Sequence, residues 1–355
     1  MKIAVIGGGI SGLYIADLLK NKHEVTIFEG TSWGGDIQSE TINGKCYPIS
    51  TIFALPGEEL IKEELKARNI ETKVTHNDKQ NGMFLLLFIL ISGCASLALT
   101  DYNYISSFVI VLTLLLIIMY AKQQICYFTL CFGASDNCSD WFNSFISYIS
   151  SGNMFSSMEK PIKCGMTALY QSMLHNKNVR YIKKNVELVD SSGSSPVVFV
   201  DNKQMLFDKC IIACPYNSYK HWLPLSNHEH NLLSKNKYFD FYSTLIKFTD
   251  NYNAMPREGV HNSVGSIALD DAFLLASHKH IKLDPSIKCD FKRTYKWRMP
   301  YNSTHSKEKK LLNQRQNQNV YFVGKEIAGN GVNYCMEYAK EIRDLIYSSS
   351  GLIRR

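Results

Sequence analysis

The sequence predicts an α/β fold: a discontinuous, Rossmann-type nucleotide-binding domain, a reduced second domain, and a hydrophobic helical hairpin inserted between stretches of the first. Three observations predict it. The first thirty residues, MKIAVIGGGISGLYIADLLKNKHEVTIFEG, read strand–turn–helix–strand. Two long uncharged apolar runs follow, within residues 83–121. Short apolar stretches alternating with turns and helical patterns resume after residue 158 and continue to a last helix.

In the opening unit, residues 2–6 form a short buried strand, residues 10–21 a helix, and residues 24–28 a second strand ending at Glu29. Gly7, Gly9 and Gly12 supply G-x-G-x-x-G between strand and helix. The first glycine permits a tight turn, the second lets backbone approach a pyrophosphate, and the third lets the helix pack close on the sheet. Ile10 and Ser11 begin the helix, whose free N–H groups and dipole favour a phosphate. Glu29 stands seventeen residues after Gly12, where an acid accepts hydrogen bonds from ribose hydroxyls. A second glycine pair, Gly34-Gly35, follows in a turn-rich stretch, and Asn43-Gly44 marks another turn. Residues 58–68, EELIKEELKAR, form a charged helix with Leu60, Ile61 and Leu65 on one face.

The composition then changes. Residues 83–100 hold eighteen residues without a charge, and residues 105–121 seventeen more. At 1.5 Å per residue each spans about 26 Å, near the thin end of a bilayer core. Tyr102, Tyr104 and Tyr120 sit at the segment ends, where aromatic belts form. Lys73, Lys79 and Lys122 flank the pair, and the 101–104 loop has no Lys or Arg. The expectation is a two-span transmembrane hairpin, with both termini and the catalytic domain on the cytoplasmic side.

Residues 123–157 lack a clear period and read as a connection. Residues 166–175 are helical. Residues 197–200 and 204–207 bracket the turn Asp201-Asn202 as a hairpin, and KCIIA at 209–213 is a buried strand stopped at Pro215. Strands are expected at 239–248, 264–269, 272–277 and 320–323, and a last helix at 332–347. The chain of 355 residues carries a net charge of +7, spread out and not concentrated in a stripe, so nucleic acid is not an expected partner. Its ten cysteines show no C-x-x-C pair, so mostly free thiols in a reducing compartment are expected. Cys126, Cys131 and Cys138 have no companion histidine, and no metal site is expected. His228, His230, His278 and His280 sit in polar stretches and read as solvated loops.

Five blocks in order give the chain a resemblance to the flavin amine oxidase, protoporphyrinogen oxidase and phytoene-desaturase-like superfamily. They are the N-terminal unit with Glu29, KPIKCGMTALYQSML followed by NVELVD, DKCIIACP, YKWRMPY, and NVYFVGKEIAGNGVNYCMEYAKEI. Together they cover most of the chain outside residues 81–157. The resemblance implies a FAD-binding domain built from residues 1–80, 158–225 and 301–355, and a reduced substrate domain at 226–300. It implies FAD as cofactor, with Val186 beside the adenine through its backbone. It also places Gly324, Glu326, Val332 and Asn333 on the flavin side.

Gly324 ends a strand, the Gly329-Asn330-Gly331 turn lets backbone approach a ring, and the helix starting at Val332 points N–H groups at developing negative charge. The sequence also departs from the family pattern. Asp36 follows Gly34-Gly35 where a cation is usual, so Lys45 or Lys325 is needed to compensate it. Val332 replaces an aromatic, and the flavin-proximal lysine falls near Ser243, with Lys247 on the same strand parity. No catalytic residue is singled out. The implied activity is oxidation of a C–N or C–C bond in a lipophilic small molecule reached from the membrane. Two alternatives stay open: a non-redox flavoenzyme resembling UDP-galactopyranose mutase, using Arg293, Lys296 and Arg298, and a degenerate flavin-binding scaffold.

Overall fold

The computed structural model describes residues 1–54, 58–75, 158–249, 260–261, 265–277, 279–300, 306–314, 318–329 and 331–349. Its centre is a five-stranded, wholly parallel sheet. The strand order is Val320–Phe322, Lys209–Ile212, Lys2–Ile6, Glu24–Phe28, Val179–Ile182. The central members are near-continuous apolar runs, as parallel strands covered on both faces must be, and Ile3, Ala4, Val5, Ile27, Cys210 and Ile211 are fully enclosed. Three distant parts of the sequence therefore meet in one sheet. Its first strand lies between Lys209–Ile212 and Glu24–Phe28, so the crevice beyond that strand's C-terminal end opens where the order reverses.

The helix Ile10–Leu19 packs against the long last helix Val332–Ser349. Tyr347 donates its hydroxyl hydrogen to the Leu18 carbonyl at 3.2 Å. The helix Glu59–Ala67 is joined to the same unit by polar contacts at its rim. The Tyr14 hydroxyl donates to Glu64 at 2.7 Å, and Arg68 bridges Asp17 and Glu64 at 2.7 and 3.0 Å.

A second sheet is antiparallel, in the order Gly265–Ala268, Phe273–Ser277, Tyr238–Phe248, Cys289–Pro300. Side chains alternate across its long central strand. Leu245 faces a hairpin formed by Ser39–Ile42 and Lys45–Pro48, and joins Ile42, Tyr47, Ile49 and Ile52 in one apolar cluster. Ile246 and Phe248 face the other way, into a cluster with Phe273, Leu275 and Ile281. Towards the start of the strand this second face carries Tyr238, Asp240 and Tyr242, opposite Pro300, Arg298 and Lys296.

Several expectations need correction. The two-span membrane localisation is withdrawn: among the described residues no helix is long and apolar enough to cross a membrane. The apolar runs that suggested a transmembrane hairpin lie outside the described residues. Length and hydropathy alone do not separate a spanning helix from other apolar segments. The cysteines are not all free. Cys46 and Cys164 form a disulfide across 118 residues of sequence, with Cα atoms 5.4 Å apart, while Cys210, Cys214, Cys289 and Cys335 are free. His230 is not in a loop. It belongs to the helix Asn227–Leu233, which Ser226 and Glu229 start with a reciprocal capping box, and its Nδ1 lies 2.6 Å from the Tyr216 hydroxyl. The His280 ring stacks at a tilt on Tyr242, centroids 4.6 Å apart.

Candidate functional site: a glycine-lined cradle

The first strand ends at Ile6, and the chain turns at once through Gly7, whose φ of +114° suits glycine alone. A Cβ there would lie 2.8 Å from the Ala213 carbonyl carbon, because the link after Lys209–Ile212 runs alongside. Gly12 is tighter still: its Cβ would stand 1.9 Å from the Gly7 carbonyl oxygen. Gly9 is the least crowded of the three: an added Cβ would make only ordinary contact, with the Gly35 Cα at 3.8 Å. No side chain caps the helix that begins at Ile10, so its first N–H groups face this opening unclaimed by a cap.

The second glycine pair closes the opening from the side. Gly34 bridges to Gly9 and donates its N–H to the Gly8 carbonyl at 2.8 Å, and Gly34 and Gly35 take φ of +92° and +60°. Asp36, the acid that follows them, is neutralised by an ion pair with Lys325. Lys325 also donates to the Arg298 carbonyl at 3.1 Å, which ties the cradle to the antiparallel sheet. Lys45, the other compensating cation the sequence suggested, pairs instead with Asp271 at 2.6 Å.

Glu29 is buried at the end of the second strand. Its carboxylate accepts from the Gly8 N–H at 2.6 Å, the Thr31 N–H at 2.6 Å and the Thr31 hydroxyl at 2.8 Å. It thus holds the glycine loop as well as standing where a ribose is expected. Val186 is buried near the same strand end. Its neighbour Asn185 fills the place that a Cβ on Gly30 would take, 1.6 Å from its Oδ1.

The C-terminal block meets the cradle from the other side. Gly324, at φ +109°, sits with its would-be Cβ 3.8 Å from the Ala213 carbonyl oxygen and 4.0 Å from the Ser11 Oγ. Val332 and Asn333 open the last helix and are both buried. Asn333 donates to Glu337 at 2.8 Å, but its Oδ1 is buried with no hydrogen-bond partner. A buried acceptor left unpaired costs free energy that a ligand donor relieves. Cys335, on the same helix, points its thiol at the Gly329 carbonyl, and burial pushes that thiol up to about 11. Glu326 is placed differently from its expected role. Both carboxylate oxygens are engaged, one by the Tyr216 N–H at 2.7 Å and the other by the Tyr238 hydroxyl. Burial raises its pKa, against the opposing pull of those two donors and of Lys325 and Lys309.

Gly7, Gly9, Ile10, Ser11, Gly12, Gly34, Gly35 and Gly324 therefore converge on one opening. Glu29 and Val186 lie towards the second strand's end, and Val332 and Asn333 at the last helix's start. Lys247 is not among them: it pairs with Asp271 at 3.2 Å. Ser243 is buried, donates to the Ile49 carbonyl, and accepts from the Trp297 indole at 2.8 Å. Among the described residues no group of histidines, cysteines and acids could hold a metal ion. Sequence reasoning missed Tyr216 and Tyr238 as partners of Glu326; their contacts bridge distant segments and leave no local signal.

Comparison with known proteins agrees with this architecture. Residues 5–59 match the family model of the NAD(P)-binding Rossmann-like domain. No curated protein matches the chain by sequence. Among solved structures, the CLA-producing fatty acid isomerase from P. acnes superposes with a TM-score of 0.67 at 11% identity, covering 98% of each chain. A proposed protoporphyrinogen oxidase from Exiguobacterium sp. 255-15 gives 0.67 at 10% identity, over 97% of this chain and 98% of that one. A putrescine oxidase bound to putrescine gives 0.63 at 14% identity, over 98% and 99%. At these identities the likenesses show the fold alone: a Rossmann-type parallel sheet joined to an antiparallel-sheet domain.

Proposed function

We propose that the chain is a FAD-dependent oxidoreductase of the amine oxidase type. The observation that carries the reading is the cradle: an uncapped helix N-terminus behind Gly9, flanked by Gly34-Gly35 and bounded by Glu29 and Asn333. Gly7, Gly9, Ile10, Ser11 and Gly12 would hold the pyrophosphate, with backbone N–H donors and the helix dipole balancing its charge. Glu29 would accept from ribose hydroxyls with the lone pairs that Gly8 and Thr31 leave free. Val186 would lie against the adenine. Gly34 and Gly35 would admit the cofactor without side-chain hindrance, and Lys325 keeps the adjacent Asp36 from opposing its phosphates.

On the flavin side, Gly324, Val332 and Asn333 would border the ring system, and the Asn333 Oδ1 would gain the donor it lacks. Glu326 acts by position, fixing Tyr216 and Tyr238. The bound flavin supplies hydride acceptance; the protein supplies placement and electrostatics. Binding is non-covalent, because the nearby Cys335 thiol is buried and held protonated by burial.

The reaction class is oxidation of a C–N or C–C bond. The mutase alternative loses support, since Arg293 pairs with Glu40 on the opposite face of the sheet from Lys296 and Arg298, and Lys296 is paired with Asp240. Of the two grounds for the scaffold alternative, Asp36 and the shortened substrate domain, the first is weakened because Lys325 neutralises Asp36.

The test is reconstitution of the purified chain with FAD, followed by gel filtration and a visible spectrum. A flavin band that bleaches with a reductant, and flavin released on denaturation, are expected. No retained flavin after reconstitution overturns the reading, and flavin that stays with the denatured chain refutes non-covalent binding.

A further inference from the structure

A second concavity lies on the charged face of the antiparallel sheet, opposite the face covered by the 39–48 hairpin. Its volume is about 820 Å³, and Asn236, Lys237, Tyr238, Asp240, Lys296 and Arg298 line it. We propose that this basin binds a small oxyanion, the carboxylate or phosphate group of an organic ligand, with Arg298 as its principal anchor.

Charge is the first argument. Among the described residues Asp240 is the one acid in the lining, and Lys296 already claims it at 2.8 Å. Lys237 and Arg298 remain, and among the described residues neither has a carboxylate partner. The basin thus presents two uncompensated cations.

Geometry is the second argument. The Arg298 guanidinium lies over the Tyr238 ring, 4.6 Å from its centroid. That contact orients the planar group by its face and leaves its N–H edge for a bidentate acceptor. Tyr238 is itself held from below, because its hydroxyl donates to the buried Glu326. The anchor therefore rests on a fixed ring.

An unpaired donor is the third argument. The Asn236 Oδ1 accepts from the enclosed Lys309 ammonium. Lysine can only donate, so this bond fixes which end of the amide is oxygen. The Nδ2 end is then buried beside the Tyr238 hydroxyl, which it approaches without forming a well-aligned hydrogen bond. An anionic oxygen reaching the basin floor supplies a better-placed acceptor. A fork, a point charge and an amide donor together suit an oxyanion and repel a cation.

This inference stands apart from the cofactor reading, since the basin shares no residue with the glycine cradle. The experiment is isothermal titration of the full chain at low salt, loaded with FAD so that the Gly9 opening is filled. Inorganic phosphate and benzoate are titrated separately, which distinguishes a phosphate from a carboxylate ligand. Saturable binding of at least one, at one site per chain, is expected. Arg298→Ala should weaken it at least tenfold and Arg298→Lys by less, because the charge survives and the fork does not. Arg293→Ala should change it less than about twofold, its guanidinium being paired with Glu40 outside the basin. Thermal midpoints check that each variant is folded. If the chain takes up no FAD, the same titration on the unloaded protein is read through the Arg298→Ala difference, so the two proposals fail separately. Absence of saturable binding for both anions, or binding that survives Arg298→Ala, overturns the proposal.

Discussion

Replacing Glu29 with alanine removes an acceptor shared by three donors. Two of them, the N–H and hydroxyl of exposed Thr31, can turn to water. The third, the Gly8 N–H, is buried under the loop and is left without a partner. An orphaned buried donor costs about 1–3 kcal/mol, and the lost bond was to a charged acceptor, so about 2 kcal/mol is expected. For a chain of this size that lowers the thermal midpoint of the flavin-free protein by roughly 3 °C. Loss of the ribose contact should separately weaken FAD roughly ten- to a hundredfold, from charge-assisted bonds of about 1.5–3 kcal/mol. Glu29→Gln retains one oxygen acceptor but turns an NH2 group towards donors, so it should fall between parent and alanine variant in both measurements. Differential scanning fluorimetry without flavin and a fluorescence titration with FAD read the two effects. A midpoint within about 1 °C of the parent, together with unchanged FAD affinity, would refute both roles of this carboxylate.

Three further outcomes follow from the same geometry. Gly12→Ala drives a methyl group to 1.9 Å from the Gly7 carbonyl oxygen, and backbone must move to relieve it. A loss above about 3 kcal/mol is expected, seen as little folded protein by circular dichroism, and a stable flavin-binding variant would show the loop to be wrongly described. Lys325→Ala leaves Asp36 unpaired beside the phosphate opening and should weaken FAD about tenfold, with Asp36→Asn in the same chain restoring most of it; no rescue would mean that Lys325 acts otherwise. His23 is buried with both ring nitrogens unpaired, and burial, then the chain's amino terminus and Lys22, lower its pKa. The unfolded chain therefore takes up the proton first, so stability is level above about pH 6.5 and falls below it. His23→Leu should flatten that fall in thermal midpoints measured between about pH 7 and 5, and an unaltered slope would remove His23 as its cause.

What could be read in advance was local. The glycine spacing, the apolar runs of the parallel strands and the Asp201-Asn202 hairpin turn each carry their conformation in a few adjacent residues; that turn has φ of +49° and +59°. The capping signal Ser226-x-x-Glu229 is equally local, yet its polar surroundings mask it, and the sequence there reads as a loop at His230. The rest required distant segments to meet. That Asp36 needs a cation is legible in the sequence, but which of Lys45 and Lys325 supplies it, the latter 289 positions away, depends on how distant segments meet. The Cys46–Cys164 bond has no motif, and the partners of Glu326 come from two other parts of the chain. Glu29 was assigned to a ribose from its position alone. That it also braces Gly8 depends on how the loop folds back over the strand end.

One ladder bears on how this architecture tolerates change. Thr72–Thr75 pairs antiparallel with Met158–Pro161, and Thr75 stands directly opposite Met158. The chain therefore departs for residues 76–157 and returns at a single two-stranded neck, with the Cys46–Cys164 clasp close behind it in the sequence. Among the described residues no sheet takes a strand from that stretch, so exchanging it for a two-residue turn should leave every strand of the parallel sheet with its present neighbours and the nucleotide-cradling segments together.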